Sequence, residues 1–590
     1  MTPGESENMP HTLEDVSEPQ EIMPDTNTME STNEEEKMKR KEIIKNLFPS
    51  LEFSPEDVEK KYPPRDLKKS ARVTRVAPSP TGFMHIGGIF AGLLSERLAH
   101  QSEGVFYVRI EDTDKKREVA GAAQLITESF EMFRIPVDEG ESVTGEDIGD
   151  YGPYRQSERA EIYKTFVKKL LEEGRAYPCF CTPDDLEELS NEQQEKKARS
   201  GYYGEWAKWR NRSDEEVMHA LGENKPFVIR FRSTGDYNRR VDFEDLVKGK
   251  LSLPENDQDI IIIKSDGLPT YHFAHVVDDH FMRTTHAMRG EEWLSSTPLH
   301  IELFNSLGWE PPRYGHFPTI NKLEGGSRRK LSKRKDPEAN VTFYDQEGYP
   351  ANAIIEYLLN LIDSDFEDWR KEHPDDDNRE FPIIMEHLKG SAGPILDLVK
   401  LQDIAKNLIG KLSADEVFNQ SLAWAKKYDL ELAKMLEENP DYARSIFSIE
   451  RGGKNPRKDL VKWSDVRQSI EYFFDDSLDG YKIDRSESLP NIDSRDTESI
   501  INAFLSTYDV NDDKDKWFEK IKKTATSVGY AENTKSFKKE PGKYKGHVGD
   551  VAMILRVLLT GRRETPELFD IMRTLGLERI RTRLKTKSDE

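Results

Sequence analysis

Thr74-Arg-Val-Ala-Pro-Ser-Pro-Thr-Gly-Phe-Met-His-Ile-Gly-Gly88 is the stretch on which the fold turns. Val73, Thr74, Arg75 and Val76 suit an extended chain, and Pro78, Pro80 and Gly82 then forbid both a ladder and a helix. After Gly87 and Gly88 apolar residues recur at Phe90, Leu94 and Leu98, the spacing of one helix face, so the glycines sit at a helix N-terminus. Free amides and the positive end of the dipole face the turn, where a phosphate can bind. Side chains at 87 and 88 would fill the space through which a nucleotide approaches the backbone, and His85 stands beside it as a donor. On these residues alone, a plain glycine-rich strand-to-helix turn with a surface histidine fits equally well.

Far downstream, Ser327-Arg-Arg-Lys-Leu-Ser-Lys-Arg-Lys335 carries six cations in nine residues, in a chain of formal net charge −24. Such a run needs an anionic partner or ample water. The 590 residues suffice for several domains, and neither a signal peptide nor an apolar run of membrane-spanning length is present, so the sequence reads as soluble and cytoplasmic. Two cysteines exclude a disulfide framework. Residues 1–36 hold 11 acidic and no basic side chains with no apolar period, the composition of a disordered tail. That tail supplies nearly half of the net charge, which therefore says little about nucleic-acid binding.

From Lys37 to about Tyr62 the pattern predicts a helix, with Ile43, Ile44, Leu47 and Phe48 apolar and Tyr62-Pro-Pro as its stop. Strands are predicted at 73–76, 105–110, 260–263 and 285–288, separated by helical stretches. That alternation reads as one parallel sheet with crossover helices, an α/β nucleotide-binding core. Beyond about 345 helices dominate, with apolar spacing at Ile354, Leu358 and Leu359 and at Leu396, Leu398 and Leu401.

Several blocks, in order, resemble the bacterial-type glutamyl-tRNA synthetases, which are class I aminoacyl-tRNA synthetases. Pro78-Ser-Pro-Thr-Gly-Phe-Met-His-Ile-Gly-Gly88 is similar to their His-Ile-Gly-His signature, and Lys330-Leu-Ser-Lys-Arg334 to their Lys-Met-Ser-Lys-Ser signature. Between them stand Arg109-Ile-Glu-Asp-Thr-Asp114, Gly152-Pro-Tyr-Arg-Gln-Ser-Glu-Arg159, Ala176-Tyr-Pro-Cys-Phe-Cys181, Gly267-Leu-Pro-Thr-Tyr271, Val276-Val-Asp-Asp279 and Arg289-Gly-Glu-Glu-Trp293. The resemblance runs from about residue 72 to the C-terminus and is strongest before 360.

It implies a Rossmann-like parallel-sheet catalytic domain with an inserted acceptor-binding domain, followed by an all-helical anticodon-binding region. The parts are an acidic tail (1–36), a helical extension (37–70), a first catalytic half (71–155), the insertion (156–256), a second catalytic half with the cationic loop (257–345), a stem-contact helical domain (346–400) and the anticodon-binding domain (401–590). Asp550 to Arg556, Thr560-Gly561 and Leu575-Gly576 resemble the last domain's terminal cage. Arg579, Arg581, Arg583, Lys585 and Lys587 on the final helix suit a phosphate face or a solubilising end equally.

The implied reaction is ATP-dependent activation of L-glutamate followed by transfer to the 3′ end of tRNA(Glu), with AMP and pyrophosphate released. His85, Lys330 and Lys333 are the implied catalytic residues, and Gly82, His85, Gly87, Gly88 and Lys333 the implied ATP contacts, with Mg²⁺ as additional charge. Arg75, Ser79, Glu111, Tyr271, His275 and Arg289 are implied to line the glutamate pocket, with the arginines on carboxylates and Glu111 on the ammonium. A monomer is implied, with no membrane partner. Whether tRNA(Gln) is also charged stays open, and a glutaminyl-tRNA synthetase is disfavoured because its first block is of the Pro-Glu-Pro-Asn-Gly type.

The chain departs from the pattern in three ways. Gly88 replaces the second histidine of the first signature, and His275 stands where many relatives have asparagine. Cys179 and Cys181 match half of a zinc site found in some relatives, but a tetrahedral site needs four ligands and Trp206 falls near the expected third. No zinc is expected, and the two thiols read as reduced and partly buried.

Overall fold

The computed structural model describes residues 38–388, 393–474 and 494–585. The acidic tail expected over 1–36 and the cation Lys587 lie outside the described residues. The central sheet has four parallel strands in the order β11 (Arg313–Phe317), β10 (His286–Gly290), β1 (Val73–Val76), β2 (Val105–Val108). β1 pairs with β2 from Val73↔Val105 to Val76↔Val108, and with β10 at Thr74↔His286. Every residue of β1 is buried, as a central parallel strand covered on both faces requires. The helix Ile86–His100 packs on this sheet and is buried almost all round, which encloses Glu96 and Arg97 as an ion pair. Phe90, Leu94 and Leu98 point inward as their spacing demands.

Two strand expectations need correction. The strand predicted at 260–263 is observed at Ile261–Ile263 (β9), but it is not in the parallel sheet. It pairs antiparallel with β6 (Val228–Phe231), which pairs with β5 (Ala176–Cys179), in a separate three-stranded sheet. A run of three isoleucines fits either kind of buried strand, and only the partner distinguishes them. β11 was not anticipated at all, because Arg313-Tyr-Gly-His-Phe317 carries a glycine and a histidine at positions that the sheet buries. The strand expected over 105–110 stops at Val108, and the chain then bends away toward Glu111.

The helix predicted from Lys37 to Tyr62 is instead two helices, 38–47 and Pro55–Lys61, because Pro49 ends the first and Ser54 starts the second with a reciprocal capping box to Asp57. Ile43, Ile44, Leu47, Val58 and Tyr62 pack with Phe166 and Leu170. Glu59 pairs with both His280 and Arg283 at 2.8 and 2.9 Å, so the extension is clamped to the catalytic region.

A second, all-helical core holds Ile409 to Leu584. Arg583, a candidate for a phosphate face, turns inward: its guanidinium donates to the carbonyls of Tyr472 (2.7 Å) and Leu559 (2.8 Å). The last helix kinks at Gly576, where φ is 78°. One contact between the two cores is at Gly348, just after the helix Val341–Glu347. Trp424 Nε1 donates to the Asp345 carbonyl (3.0 Å) and Trp463 N to the Gly348 carbonyl (2.8 Å). Gly348 has φ +82°, and a Cβ there would stand 2.8 Å from Trp424 Nε1.

Candidate active site

In a parallel sheet, ligand sites form beyond the carboxyl ends of the strands, where chain direction switches. Here β1 runs between β10 on one side and β2 on the other, and the chains leaving all three carry the candidate residues. β1 ends in Arg75-Val76 and the proline turn, β2 leads to Arg109 and Glu111, and β10 ends in Arg289. The turn is stapled by Glu111 N to the Pro78 carbonyl (3.0 Å) and Thr81 N to the Ser79 carbonyl (2.8 Å), leaving Ser79 exposed at its crest.

Beneath these strand ends lies a charge network that the sequence did not disclose. Arg109 is wholly buried, donating to Asp279 (2.7 Å) and Glu111 (3.2 Å), while Arg159 meets Asp278 at 2.6 Å and Arg75 meets Asp279 at 3.3 Å. Three arginines thus face three carboxylates. Tyr163 and Gln156 complete the shell of Asp278, both at 2.8 Å. Asp278 and Asp279 lie on the helix Tyr271–Phe281, one and two turns beyond His275 and Tyr271, so that one helix face serves the site.

Arg289 is different. Its side chain is buried, yet it makes no ion pair among the described residues. Nε donates to His316 Nε2 (2.8 Å), and the two terminal nitrogens meet His300 Nδ1 (3.1 Å) and Thr297 Oγ1 (3.0 Å). Burial and the neighbouring arginine hold the His300 and His272 imidazoles well below their usual range, so these partners are neutral acceptors. Their tautomers follow in sequence: His300 Nδ1 accepts from Arg289, so its Nε2–H donates to His272 Nδ1 at 2.9 Å. Asp245 stands on the other side of the His316 ring, 2.5 Å from its Nδ1. A buried guanidinium surrounded by neutral acceptors keeps its charge for a ligand.

Of the other expected pocket residues, Tyr271 stacks on His275 (5.9 Å, 13°) and leans on Trp293 (4.4 Å). Glu111 is 8 % exposed, and burial lifts its carboxyl to about 7 against the opposing pull of Arg109 and Arg75. Arg75 presents only part of its fork, because Nε and one terminal nitrogen lean on Asp279 at 3.4 and 3.3 Å. His275, expected to touch the ligand, is fully buried behind Arg75. Its Nδ1 lies 3.3 Å from Arg75 and its Nε2 3.1 Å from the Tyr314 hydroxyl, so both nitrogens are occupied. An imidazole is longer than the amide of asparagine, and this length lets it bridge the two.

The two signatures lie side by side. His85 caps the helix Ile86–His100, its Nδ1 accepting from Gly87 N at 2.9 Å, which leaves the proton on Nε2 facing the Leu331 backbone. Burial and the nearby Lys333 and Lys330 depress the imidazole to about 4, so it is a neutral donor at pH 7. Lys333 Nζ donates to the Phe83 carbonyl (2.6 Å), and Lys330 pairs with Glu292 (3.1 Å). A Cβ at Gly87 would meet His85 Nδ1 at 3.0 Å and one at Gly88 would meet Met84 Cε at 2.9 Å, so these glycines let the signature pack upon itself. Gly82, at φ +127°, makes the turn possible.

Cys179 and Cys181 both approach the Tyr202 hydroxyl, at 3.4 and 3.5 Å, beside Trp206 and Leu189. Among the described residues only Asp363, Asp365 and His387 bring three metal-ligating atoms together, and they stand in the helical region. No helix of the described residues is long and apolar enough to cross a membrane.

Residues 72–367 match the family model of the class I tRNA synthetase catalytic domain (E and Q), and residues 460–587 match an anticodon binding domain. The chain is 48 % identical over 541 residues to a glutamate–tRNA ligase of Clostridium perfringens, covering 91 % of this chain and 98 % of the relative. It is 46 % identical over 554 residues to the glutamate–tRNA ligase of Acetivibrio thermocellus, covering 93 % and 100 %. The crystal structure of a glutamate tRNA ligase from Elizabethkingia meningosepticum in complex with its amino acid superposes with a TM-score of 0.68 at 27 % identity, covering 88 % of this chain and 99 % of that one.

Proposed function

The chain belongs to the class I glutamyl-tRNA synthetase family and is a glutamate–tRNA ligase, and from that premise we propose how its own residues divide the work. Arg289 receives a carboxylate of glutamate. The observation that carries this assignment is a buried guanidinium with only neutral direct partners, placed at the carboxyl end of β10. Arg75 adds the free side of its fork, held in place by Asp279 and by His275 behind it, so His275 acts through Arg75 rather than on the ligand. Glu111 takes the ammonium: one of its oxygens is on Arg109, and a cation beside the other keeps the carboxyl ionised despite its burial. Tyr271 and Ser79 close the sides of the pocket.

Activation requires the α-carboxylate to attack the α-phosphate of ATP in line while pyrophosphate leaves, so the protein must mainly position groups and neutralise charge. His85 Nε2–H and the amides at the start of the helix Ile86–His100 serve the phosphate side, with Gly82, Gly87 and Gly88 holding that turn close. Lys330 and Lys333 leave Glu292 and the Phe83 carbonyl to meet the pyrophosphate. Mg²⁺ bound with ATP would supply additional positive charge at the phosphates. Glutamate then passes to the terminal ribose hydroxyl of tRNA(Glu).

Aminoacylation with labelled glutamate and glutamine, offered separately with tRNA(Glu) and tRNA(Gln), tests the reading. Glutamate on tRNA(Glu) is expected. Its appearance on tRNA(Gln) as well would mark a non-discriminating enzyme, and transfer of glutamine alone would overturn the assignment of Arg289 to a carboxylate.

A further inference from the structure

The hairpin β12 (Asn321–Glu324) and β13 (Ser327–Lys330) runs directly into the cationic loop, which then turns at Ser332 to Asp336. Two reciprocal hydrogen bonds close that turn: Ser332 N donates to Asp336 Oδ2 (2.9 Å) and Asp336 N to the Ser332 carbonyl (2.9 Å). Lys333, Arg334 and Lys335 are the residues inside the bracket, and all three side chains are exposed. Asp336 itself is buried, and it also receives both terminal nitrogens of Arg329, at 2.6 and 2.7 Å, and Lys322 Nζ at 3.3 Å. Lys322 also pairs with Glu338 and Arg329 with Glu324, so the hairpin is tied to the turn from both strands.

We propose that Asp336 is a positioning residue for ATP activation, the buried carboxylate that closes the turn and holds the Lys330–Arg334 loop in the shape that aims Lys333 at the nucleotide phosphates. Six cations crowd this segment, and without a central anion their mutual repulsion would spread the turn. A carboxylate that accepts a bidentate arginine, a lysine and a backbone amide resists this spreading through charge-assisted bonds with fixed direction. Arg329 and Asp336 neutralise each other, so the remaining lysines keep their charge for the ligand. The guanidinium and ammonium groups around it hold the Asp336 carboxyl far below the usual range, and it stays ionised wherever the enzyme works. The proposal rests on the reading that Lys333 meets the pyrophosphate.

The test is ATP–pyrophosphate exchange, with tRNA(Glu) present, for Asp336→Asn, Arg329→Met, the double variant and Lys333→Ala. Asp336→Asn should raise the KM for ATP about ten-fold while the KM for glutamate stays within about two-fold, the signature of one substrate's lost contacts. Arg329→Met lies at the surface side of the pair and should show the same split. The double variant should be no worse than the poorer single one, as expected for groups that act as one unit. An unchanged ATP KM in Asp336→Asn while Lys333→Ala is impaired overturns the positioning role alone, whereas an unaffected Lys333→Ala removes the role of the loop. Equal damage to both KM values in Asp336→Asn and Arg329→Met, with a lowered melting temperature, assigns the pair to the fold and equally overturns the proposal.

Discussion

Individual side chains in this pocket are set by burial more than by identity. Arg289→Met keeps the length of the side chain and removes its charge, and should raise the glutamate KM about 10- to 100-fold, the range of a lost charged hydrogen bond. A change confined to the ATP KM would move Arg289 out of the glutamate pocket. Burial lifts the Glu111 carboxyl to about 7, so kcat/KM for glutamate should fall as the pH drops below about 7 and the ammonium loses its partner. Glu111→Gln should flatten that acid limb. At this scale the sequence was readable where a residue sits in a short ordered block, such as Arg289 in Arg-Gly-Glu-Glu-Trp293. It named His275 without its place behind Arg75, because Arg75 and Tyr314 arrive from other strands, and it did not disclose the pair of Arg109 with Asp279, 170 positions on.

The helix Ile86–His100 shows what one element contributes. At its first turn it presents His85 and the glycines, and at its last turn His100 bridges Glu96 (2.8 Å) and Asp138 (2.9 Å). The two carboxylates raise this imidazole to about 9, above the ordinary 6.5. The stabilisation is therefore complete below about 6.5 and is lost as the pH rises through 9. His100→Gln should cost about 1–3 kcal/mol of unfolding free energy at pH 6 and far less at pH 10, by denaturant titration at both. Equal losses at the two pH values would show that packing, not charge, is what His100 supplies. The helix itself was legible from Phe90, Leu94 and Leu98. The elements that differ have separate causes: β9 has the composition of a core strand but pairs with β6, which only the tertiary structure reveals, and Pro49 divides the extension into two helices.

At the scale of the whole molecule, the two cores are continuous through the helix Leu398–Lys411 and touch again at Gly348. Gly348→Ala places a methyl group against Trp424 and Trp463 at a left-handed backbone position, and should destabilise the enzyme by about 1–3 kcal/mol. Calorimetry should show this as a lowered transition temperature, and an unaltered one would mean that the two tryptophans can give way. The extension is a second tie: removing residues through 62 uncovers Phe166 and Leu170 and strands Arg283, so the shortened chain should melt below one that begins at residue 38. The helical half was predictable as a class from its spacing, but the contact at Gly348 was not, since a glycine between Glu347 and Tyr349 reads as an ordinary helix stop.

The register Thr74↔His286 also sets the order in which the enzyme can be built. β1 acquires β2 some thirty residues after it emerges, but its other edge waits for a strand 212 positions later. At a synthesis rate of about 5–20 residues per second, that edge stays open for roughly 10–40 s, while the whole inserted region is made. An unpaired central strand is an invitation to foreign strands. While that edge is open, the half-sheet of β1 and β2 offers foreign strands a place to pair, and covering β1 during synthesis would close that edge.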